Sequence, residues 1–137
     1  MQRIANALRN GATVIIESGG GFASDLNFRQ HRRFLREHLQ IDVQSPVDLW
    51  KADARRVPYI DYTWPHAAKV RDFSRVVPLG DHEGAIIAWA GDRPVGLRRQ
   101  VERGTLIFLG SPLGPALWAG DAEARRWLTA VSARTRA

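Results

Sequence analysis

The sequence of 137 residues contains no cysteine. Disulfide bonds, thiolate metal ligands and cysteine nucleophiles are therefore excluded. No apolar run approaches the roughly 20 residues that a membrane-spanning helix needs. The N-terminus also lacks a long apolar core followed by a small-residue cleavage site, so no signal peptide is visible. These absences predict a cytoplasmic protein with no membrane partner.

Lysine is scarce as well, since Lys51 and Lys69 are the only lysines among 20 basic residues. The net charge of +6 therefore comes from arginine, and the arginines are spread along the chain rather than gathered in one run. Such a spread is typical of a solvated basic surface. Polyanion or nucleic-acid binding is accordingly the third of three functional hypotheses, and nucleic acid is not an expected partner.

The most informative segment runs from Gly11 to Phe22, where a short apolar stretch enters three consecutive glycines. Its β-branched residues, from Thr13 to Ile16, favour a strand that is covered on both faces, as in a parallel sheet. Ligands collect at the carboxyl ends of strands in open α/β sheets. The pattern therefore predicts a binding site where this strand ends.

The other elements follow from apolar periodicity, capping residues and turns. Helices are predicted over residues 1–9, 24–39 and 121–131, and strands over 12–17, 73–77, 85–90, 95–101 and 105–109. Because a helix that enters a buried strand is half of a β-α-β crossover, we expect an α/β fold with a mainly parallel sheet. An antiparallel C-terminal hairpin extends this sheet, and helices cover both faces. Residues 1–137 are expected to form a single domain, the C-terminal portion of a larger one that lacks its N-terminal strands here.

Two motifs flank the predicted strand ends: NGATVII, from Asn10 to Ile16, and ERGTLIFLGSP, from Glu102 to Pro112. In their order and glycine content they resemble the class I glutamine-amidotransferase-like domains, including the trehalose-utilisation-type relatives. The resemblance implies a flavodoxin-like fold with a site at these strand ends. However, Ser18 stands where that family needs cysteine, and Gly110 to Pro112 replaces its histidine-containing turn. Glutamine hydrolysis is therefore not expected.

The favoured hypothesis is a non-catalytic module that binds a small polar ligand or a partner protein, without a cofactor or a metal. Its site would combine the two strand ends, which converge if the early and late strands are parallel neighbours, with an aromatic segment as a wall. Exposed sheet edges also predict a homodimer. The residues assigned to this site are Ser18, Gly19, Gly20, Gly21, Phe22, Tyr62, Trp64, His66, Gly110 and Ser111.

The alternative is a serine-dependent hydrolase with Ser18 as the nucleophile at a strand-to-turn exit. The G-x-S-x-G pattern is not met, because its first glycine is missing, and the sequence places no histidine near Ser18. His31 and His38 fall on the apolar side of a helix and are predicted to be packing residues. His66 and His82 lie in predicted loops and are the freer candidates for a catalytic base.

Overall fold

The computed structural model describes residues 2–18, 24–48, 59–71, 75–81 and 83–136. No helix in these ranges is both long and apolar enough to cross a membrane. The elements, in chain order, are α1 (Gln2–Arg9), β1 (Thr13–Glu17), α2 (Asp25–Leu39), β2 (Val47–Asp48), β3 (Tyr59–Tyr62), β4 (Ala68–Arg71), β5 (Arg75–Val76), β6 (Ala85–Ala90), β7 (Arg93–Val101), β8 (Gly104–Leu109), α3 (Gly114–Trp118) and α4 (Ala122–Arg136).

Two helices begin where their capping residues predict. The Ser24 side chain accepts a hydrogen bond from the Asn27 N–H at 3.2 Å, at the start of α2. The Asp121 carboxylate accepts one from the Glu123 N–H at 2.9 Å, at the start of α4. These bonds satisfy N–H groups that have no partner inside their own helices, and they fix the direction in which each helix leaves its loop.

Six strands form one mixed sheet in the order β1-β8-β7-β6-β3-β4. Among the described strands, β1 and β8 make the one parallel pair, with Thr13 opposite Thr105 and Glu17 opposite Leu109. The other neighbours in this sheet run antiparallel. β2 and β5 form a separate antiparallel pair. The prediction of a mainly parallel, flavodoxin-like sheet was therefore wrong.

The antiparallel arrangement has its cause in the connections. The turn between β6 and β7 consists of residues 91 and 92, and the turn between β7 and β8 consists of residues 102 and 103. Two residues can join only antiparallel strands, since a parallel crossover needs a dozen or more. Gly91 and Glu102 adopt positive φ angles of 63° and 53°, which suit tight hairpin turns. The later half of the sheet is thus a meander.

Alternate side chains of β8 enter two separate cores, one on each face of the sheet. Leu106 and Phe108 pack with side chains of α1 and α2, whereas Ile107 and Leu109 pack on the face that α3 and α4 cover. All four are at most 2% exposed. The unbroken apolar run of β8 is therefore explained by burial on both faces.

Gly110 is required where β8 ends, because three chain segments meet there. Its N–H donates to Val95 O at 2.6 Å, and its carbonyl accepts from the Val77 N–H at 2.8 Å. A Cβ atom at this position would clash with the Val77 carbonyl oxygen. A side chain here would therefore push β8 away from its neighbours at the predicted site.

The Gly110→Ala variant is expected to lower the free energy of unfolding by about 1–3 kcal/mol, because overpacking of a close backbone contact forces a shift. Urea denaturation followed by circular dichroism measures this change. Gly114→Ala is the matched control, because an added Cβ there meets nothing within 4 Å. Equal stability of the two variants would contradict the proposed role of Gly110.

Candidate functional site

The ends of β1 and β8 lie side by side at one edge of the sheet. Because the strands are parallel and in register, Ser18 follows β1 at the same level as Gly110 follows β8. The Ser18 N–H donates to Leu109 O at 2.7 Å, so the two segments stay joined beyond the last strand residue. The predicted convergence of these two strand ends is confirmed.

Ser18 is buried at this edge and contacts a histidine. Ser18 is 5% exposed, and its Oγ contacts Nε2 of His31. His31 lies about two turns into α2, which begins close to the end of β1 in sequence and packs against that strand's side of the sheet. Burial lowers the pKa of His31, so the ring is neutral at pH 7 and can share a proton with the hydroxyl.

Glu17 lies at the same edge of the sheet and contacts the residues at the start of α3. Its carboxylate accepts hydrogen bonds from the N–H groups of Leu113 and Gly114. Although Glu17 keeps contact with solvent, partial desolvation is the larger effect and raises the pKa of its carboxyl, whereas the two hydrogen bonds lower it. Two backbone donors that face this strand end are thus already occupied by a carboxylate of the protein.

As far as the structure describes them, the predicted strand-end residues form a buried cluster. Ser18, Gly110 and Ser111 come together and are buried, with Ser111 only 3% exposed. Gly19, Gly20, Gly21 and Phe22 were assigned to the same site and lie outside the described residues. Within the described ranges, no three His, Asp or Glu side chains are grouped closely enough to hold a metal ion.

The aromatic segment does not stand beside this cluster. Its strand, β3, is separated from β1 by three strands, a distance of about 19 Å at the usual strand spacing. Tyr62 is 2% exposed and packs on the Trp127 ring at 4.8 Å between centroids. The Trp127 Nε1–H donates to Trp64 O at 2.7 Å, and the Arg98 guanidinium lies 4.6 Å from the Trp64 ring centre. The segment thus belongs to the core beneath α4.

Of the two histidines predicted to be freer, the structure describes one, and it does not contact Ser18. His66 lies beside α4, where it borders a shallow surface with Ala122 and Arg125. His82 lies outside the described residues. The histidine that reaches Ser18 is His31, for which the helical pattern predicted only a packing role.

An open cleft lies at the opposite edge of the sheet, where β8 begins and where α1 and α2 end. We call it the basal cleft, and its volume is about 490 Å³. This volume falls within the range of small-molecule sites, roughly 300–1,000 Å³. The lining residues are Ala5, Leu8, Arg9, His38, Leu39, Gln40, Glu83, Arg99, Gln100, Val101, Glu102 and Leu106.

Arg99 holds one wall of the basal cleft in place. Its guanidinium donates to three backbone carbonyl oxygens: Leu39 O at 2.7 Å, Gln40 O at 3.0 Å and Glu83 O at 2.9 Å. Gln40 ends α2 in the left-handed region, with φ 52°. Because the last carbonyl groups of a helix carry partial negative charge, a cation beside them is favourable. The guanidinium thereby ties the end of α2 to β7 and to the segment before β6.

Sequence reasoning assigned none of these cleft residues to a site. They come from α1, the end of α2, the segment before β6 and the β7–β8 hairpin, and no short motif joins them. The one feature of the sequence that relates these segments to a binding site is a polar residue in each of them. Such residues are ordinary at exposed ends of helices and strands, so they predict no site by themselves.

The structure is thus a mixed, mostly antiparallel sheet with helices packed against it, and similar folds occur as parts of larger proteins. An exo-beta-1,4-mannosidase from Opitutaceae bacterium strain TAV5 matches with TM-score 0.59 and 12% identity, over 96% of this chain and 22% of that chain. A beta-galactosidase from Rahnella sp. R3 matches with TM-score 0.56 and 12% identity, over 81% and 18%. A cytoplasmic protein from Salmonella typhimurium LT2 matches with TM-score 0.62 and 16% identity, over 92% and 56%.

These similarities show the fold alone, because the identities are low. The chain spans about a fifth of the two glycosidases and 56% of the Salmonella protein. No protein-family model and no curated protein sequence matches the chain. The inferred resemblance to class I glutamine-amidotransferase-like domains was wrong, since the sheet is mixed and mostly antiparallel and the similar structures include glycosidases.

Replacing His31 is expected to change how stability depends on pH. The pKa of His31 is lowered in the folded state, so the unfolded chain binds a proton first as the pH falls. The free energy of unfolding should therefore decrease below the ordinary histidine value of about 6.5. His31→Gln should lose this contribution, which thermal melts at about pH 7.5 and about pH 5.5 will detect as a smaller change in Tm.

His38→Gln is the matched control, since His38 is exposed and lies on the same helix. His31 and its contact with Ser18 are intact in this variant, so its change in Tm between the two pH values should exceed that of His31→Gln. If both variants showed the same change in Tm between the two pH values, the neutral, partly buried state of His31 would be refuted.

Proposed function

We propose that this chain is a non-catalytic module that binds a small polar ligand in the basal cleft. The observation that carries the proposal is the make-up of the cleft, in which the buried side chains of Leu8, Leu39 and Leu106 lie beneath a polar rim. Small-molecule sites combine an apolar surface with a few polar groups that fix the ligand's orientation. The volume and the lining of this cleft both fit that description.

The chemistry of the strand ends supports a non-catalytic role. The Ser18 hydroxyl and the His31 ring contact each other, and the Glu17 carboxylate occupies the N–H groups of Leu113 and Gly114. An oxyanion hole needs donors that are free to bind the reacting oxygen. Because these donors already hold a carboxylate, a substrate would have to displace Glu17 to use them.

The rim of the basal cleft favours a neutral, hydroxyl-rich ligand such as a sugar. Arg9 and Glu102 lie 3.9 Å apart, and Arg99 is occupied by backbone carbonyl groups. The remaining rim includes Glu83 and Gln100. The Gln100 Nε2 donates to Glu102 O at 3.4 Å, so the Gln100 amide oxygen and the Glu83 carboxylate offer acceptors to ligand hydroxyl groups. The similar folds in a mannosidase and a galactosidase support the choice of mannosides and galactosides as the first ligands to test.

A cytoplasmic location and a homodimer belong to the same proposal. One protein of similar fold is described as cytoplasmic. β1 lies at the end of the six-stranded sheet, and its residues 13–16 are half-buried rather than covered. An edge strand of this kind can pair with a strand of another chain, which supports association with a second copy.

Titration of the isotopically labelled protein with β-1,4-mannobiose and with galactose tests the proposal by NMR. Backbone chemical shifts should change around the basal cleft, because the ligand replaces water at the rim. The Glu83→Ala/Gln100→Ala double variant should bind about tenfold more weakly, the expected effect of losing one or two net hydrogen bonds. Its folding is checked by circular dichroism.

The matched control is the Gln30→Ala/Glu37→Ala double variant, which removes the same residue types from exposed positions outside the cleft. Its affinity should equal that of the parent protein. Shifts that map elsewhere, an equal loss in both variants, or no shifts with either sugar would count against sugar binding in this cleft.

A serine-dependent hydrolase is the second candidate function, because Ser18 Oγ contacts His31 Nε2. A hydroxyl beside a neutral imidazole is the pairing that a nucleophile and its general base require. In such a reaction His31 would accept the hydroxyl proton as Oγ attacks an acyl carbon and the carbonyl π electrons move to the carbonyl oxygen. The bond to the leaving group would then break, the leaving group would depart with the proton from His31, and water would release the acyl group from Ser18. The contact supports this candidate, and the burial of Ser18 weighs against it.

Labelling with a serine-directed fluorophosphonate separates the two functions. The non-catalytic proposal predicts no adduct on Ser18 by mass spectrometry of the intact protein, because the hydroxyl is buried. A single adduct that disappears in Ser18→Ala and weakens in His31→Gln would establish the hydrolase instead. A known serine hydrolase labelled in parallel shows that the reagent is active.

A further inference from the structure

Four arginines of α2 line a groove on the helix surface, separate from the sites described above. They are Arg29, Arg32, Arg33 and Arg36, and Glu37 lines the groove with them. Their spacing of three, four and seven residues places them on one face of the helix. The groove has a volume of about 390 Å³ and shares no lining residue with the basal cleft. We call it the arginine groove.

The positive charge of the arginine groove is only partly compensated. Arg36 Nη2 donates to the Asp42 carboxylate at 2.7 Å. Among the side chains that the structure describes, no ion pair involves Arg29, Arg32 or Arg33. Like charges three and four residues apart destabilise a helix. An anion in the groove would therefore stabilise the folded chain.

One arginine donor also lacks an acceptor inside the protein. Arg32 Nε is buried and has no hydrogen-bond partner within the described residues. A buried donor without an acceptor is costly, so a group that accepts this N–H gains binding free energy. This donor is an observation independent of the charge count, and it favours a ligand that presents a hydrogen-bond acceptor to Arg32.

We propose that the arginine groove binds a short chain of phosphate groups. Guanidinium groups match phosphate oxygens in a two-pronged geometry that a lysine cannot reproduce. Arg29 and Arg36 are seven residues apart, which corresponds to about 10.5 Å along the helix axis. A length of this kind suits several linked phosphates better than one isolated ion, and inorganic tripolyphosphate is the ligand that we test.

Isothermal titration with tripolyphosphate, at constant ionic strength, measures the affinity of the groove. The Arg29→Gln/Arg33→Gln double variant should bind at least about tenfold more weakly, because each substitution removes a charge-assisted hydrogen bond. The parent affinity should also fall as the salt concentration rises. Circular dichroism and Tm show whether the variant is folded.

The control is the Arg93→Gln/Arg103→Gln double variant, which removes the same charge from two exposed residues at hairpin turns. It should change the affinity by less than about twofold if the groove itself is the site. An equal loss in both double variants would mean that net charge alone attracts the anion, and the proposal would fail. Absence of tripolyphosphate binding to the parent protein would also overturn it.

A single-stranded oligonucleotide offers the same phosphate groups in a longer chain. Binding of the oligonucleotide without measurable binding of tripolyphosphate would overturn the assignment to a short inorganic chain. The result is independent of the basal cleft, because the Glu83→Ala/Gln100→Ala variant leaves all four groove arginines in place and should bind tripolyphosphate like the parent.

Discussion

The parallel pairing of β1 with β8 is the constraint on which the rest of the structure depends. The five-residue register from Thr13–Thr105 to Glu17–Leu109 joins the beginning of the chain to its last strand. It sets α1 and α2 against one face of β8, and it brings the ends of both strands to one edge. At the opposite edge, where both strands begin, lie α1, the end of α2 and the β7–β8 turn. These segments line the basal cleft.

Much of this pairing could be predicted from the sequence, because both strands stand out as short runs of apolar and β-branched residues. Burial on both faces explains the run in β8 alone, and the expectation that β1 is covered on both faces was wrong, since its residues 13–16 are half-buried. The runs at residues 13–16 and 105–109 identified both strands, and capping residues identified the starts of α2 and α4. Strand direction in the rest of the sheet was harder to predict. An apolar run does not specify its partner, and the expected crossover topology gave too little weight to the two-residue turns that force β6, β7 and β8 into a meander.

The sequence could predict which strand ends meet, but it could not predict the contacts of the side chains placed there. Ser18 and Ser111 converge because parallel strands end at the same edge. His31 was assigned to packing because a histidine on the apolar side of a helix can be buried either by aliphatic neighbours or by a single polar contact. Tyr62 was assigned to a binding wall, although its ring packs on Trp127, because tyrosine suits both a core and a surface. Side-chain periodicity alone does not separate these outcomes.

The two edges of the sheet differ in where polar groups find their partners, and this difference bears on function. At the strand ends, the Ser18 hydroxyl and the Glu17 carboxylate make their contacts within the protein, so a ligand there would have to replace existing contacts and gain little. The basal cleft has an apolar floor that water covers poorly, and the arginine groove holds a buried donor, Arg32 Nε, without an acceptor among the described residues. Binding free energy is greatest where a ligand supplies contacts that the folded chain does not make itself. By this argument the parallel strand ends hold the domain together, and the two proposed binding sites lie at surfaces away from them.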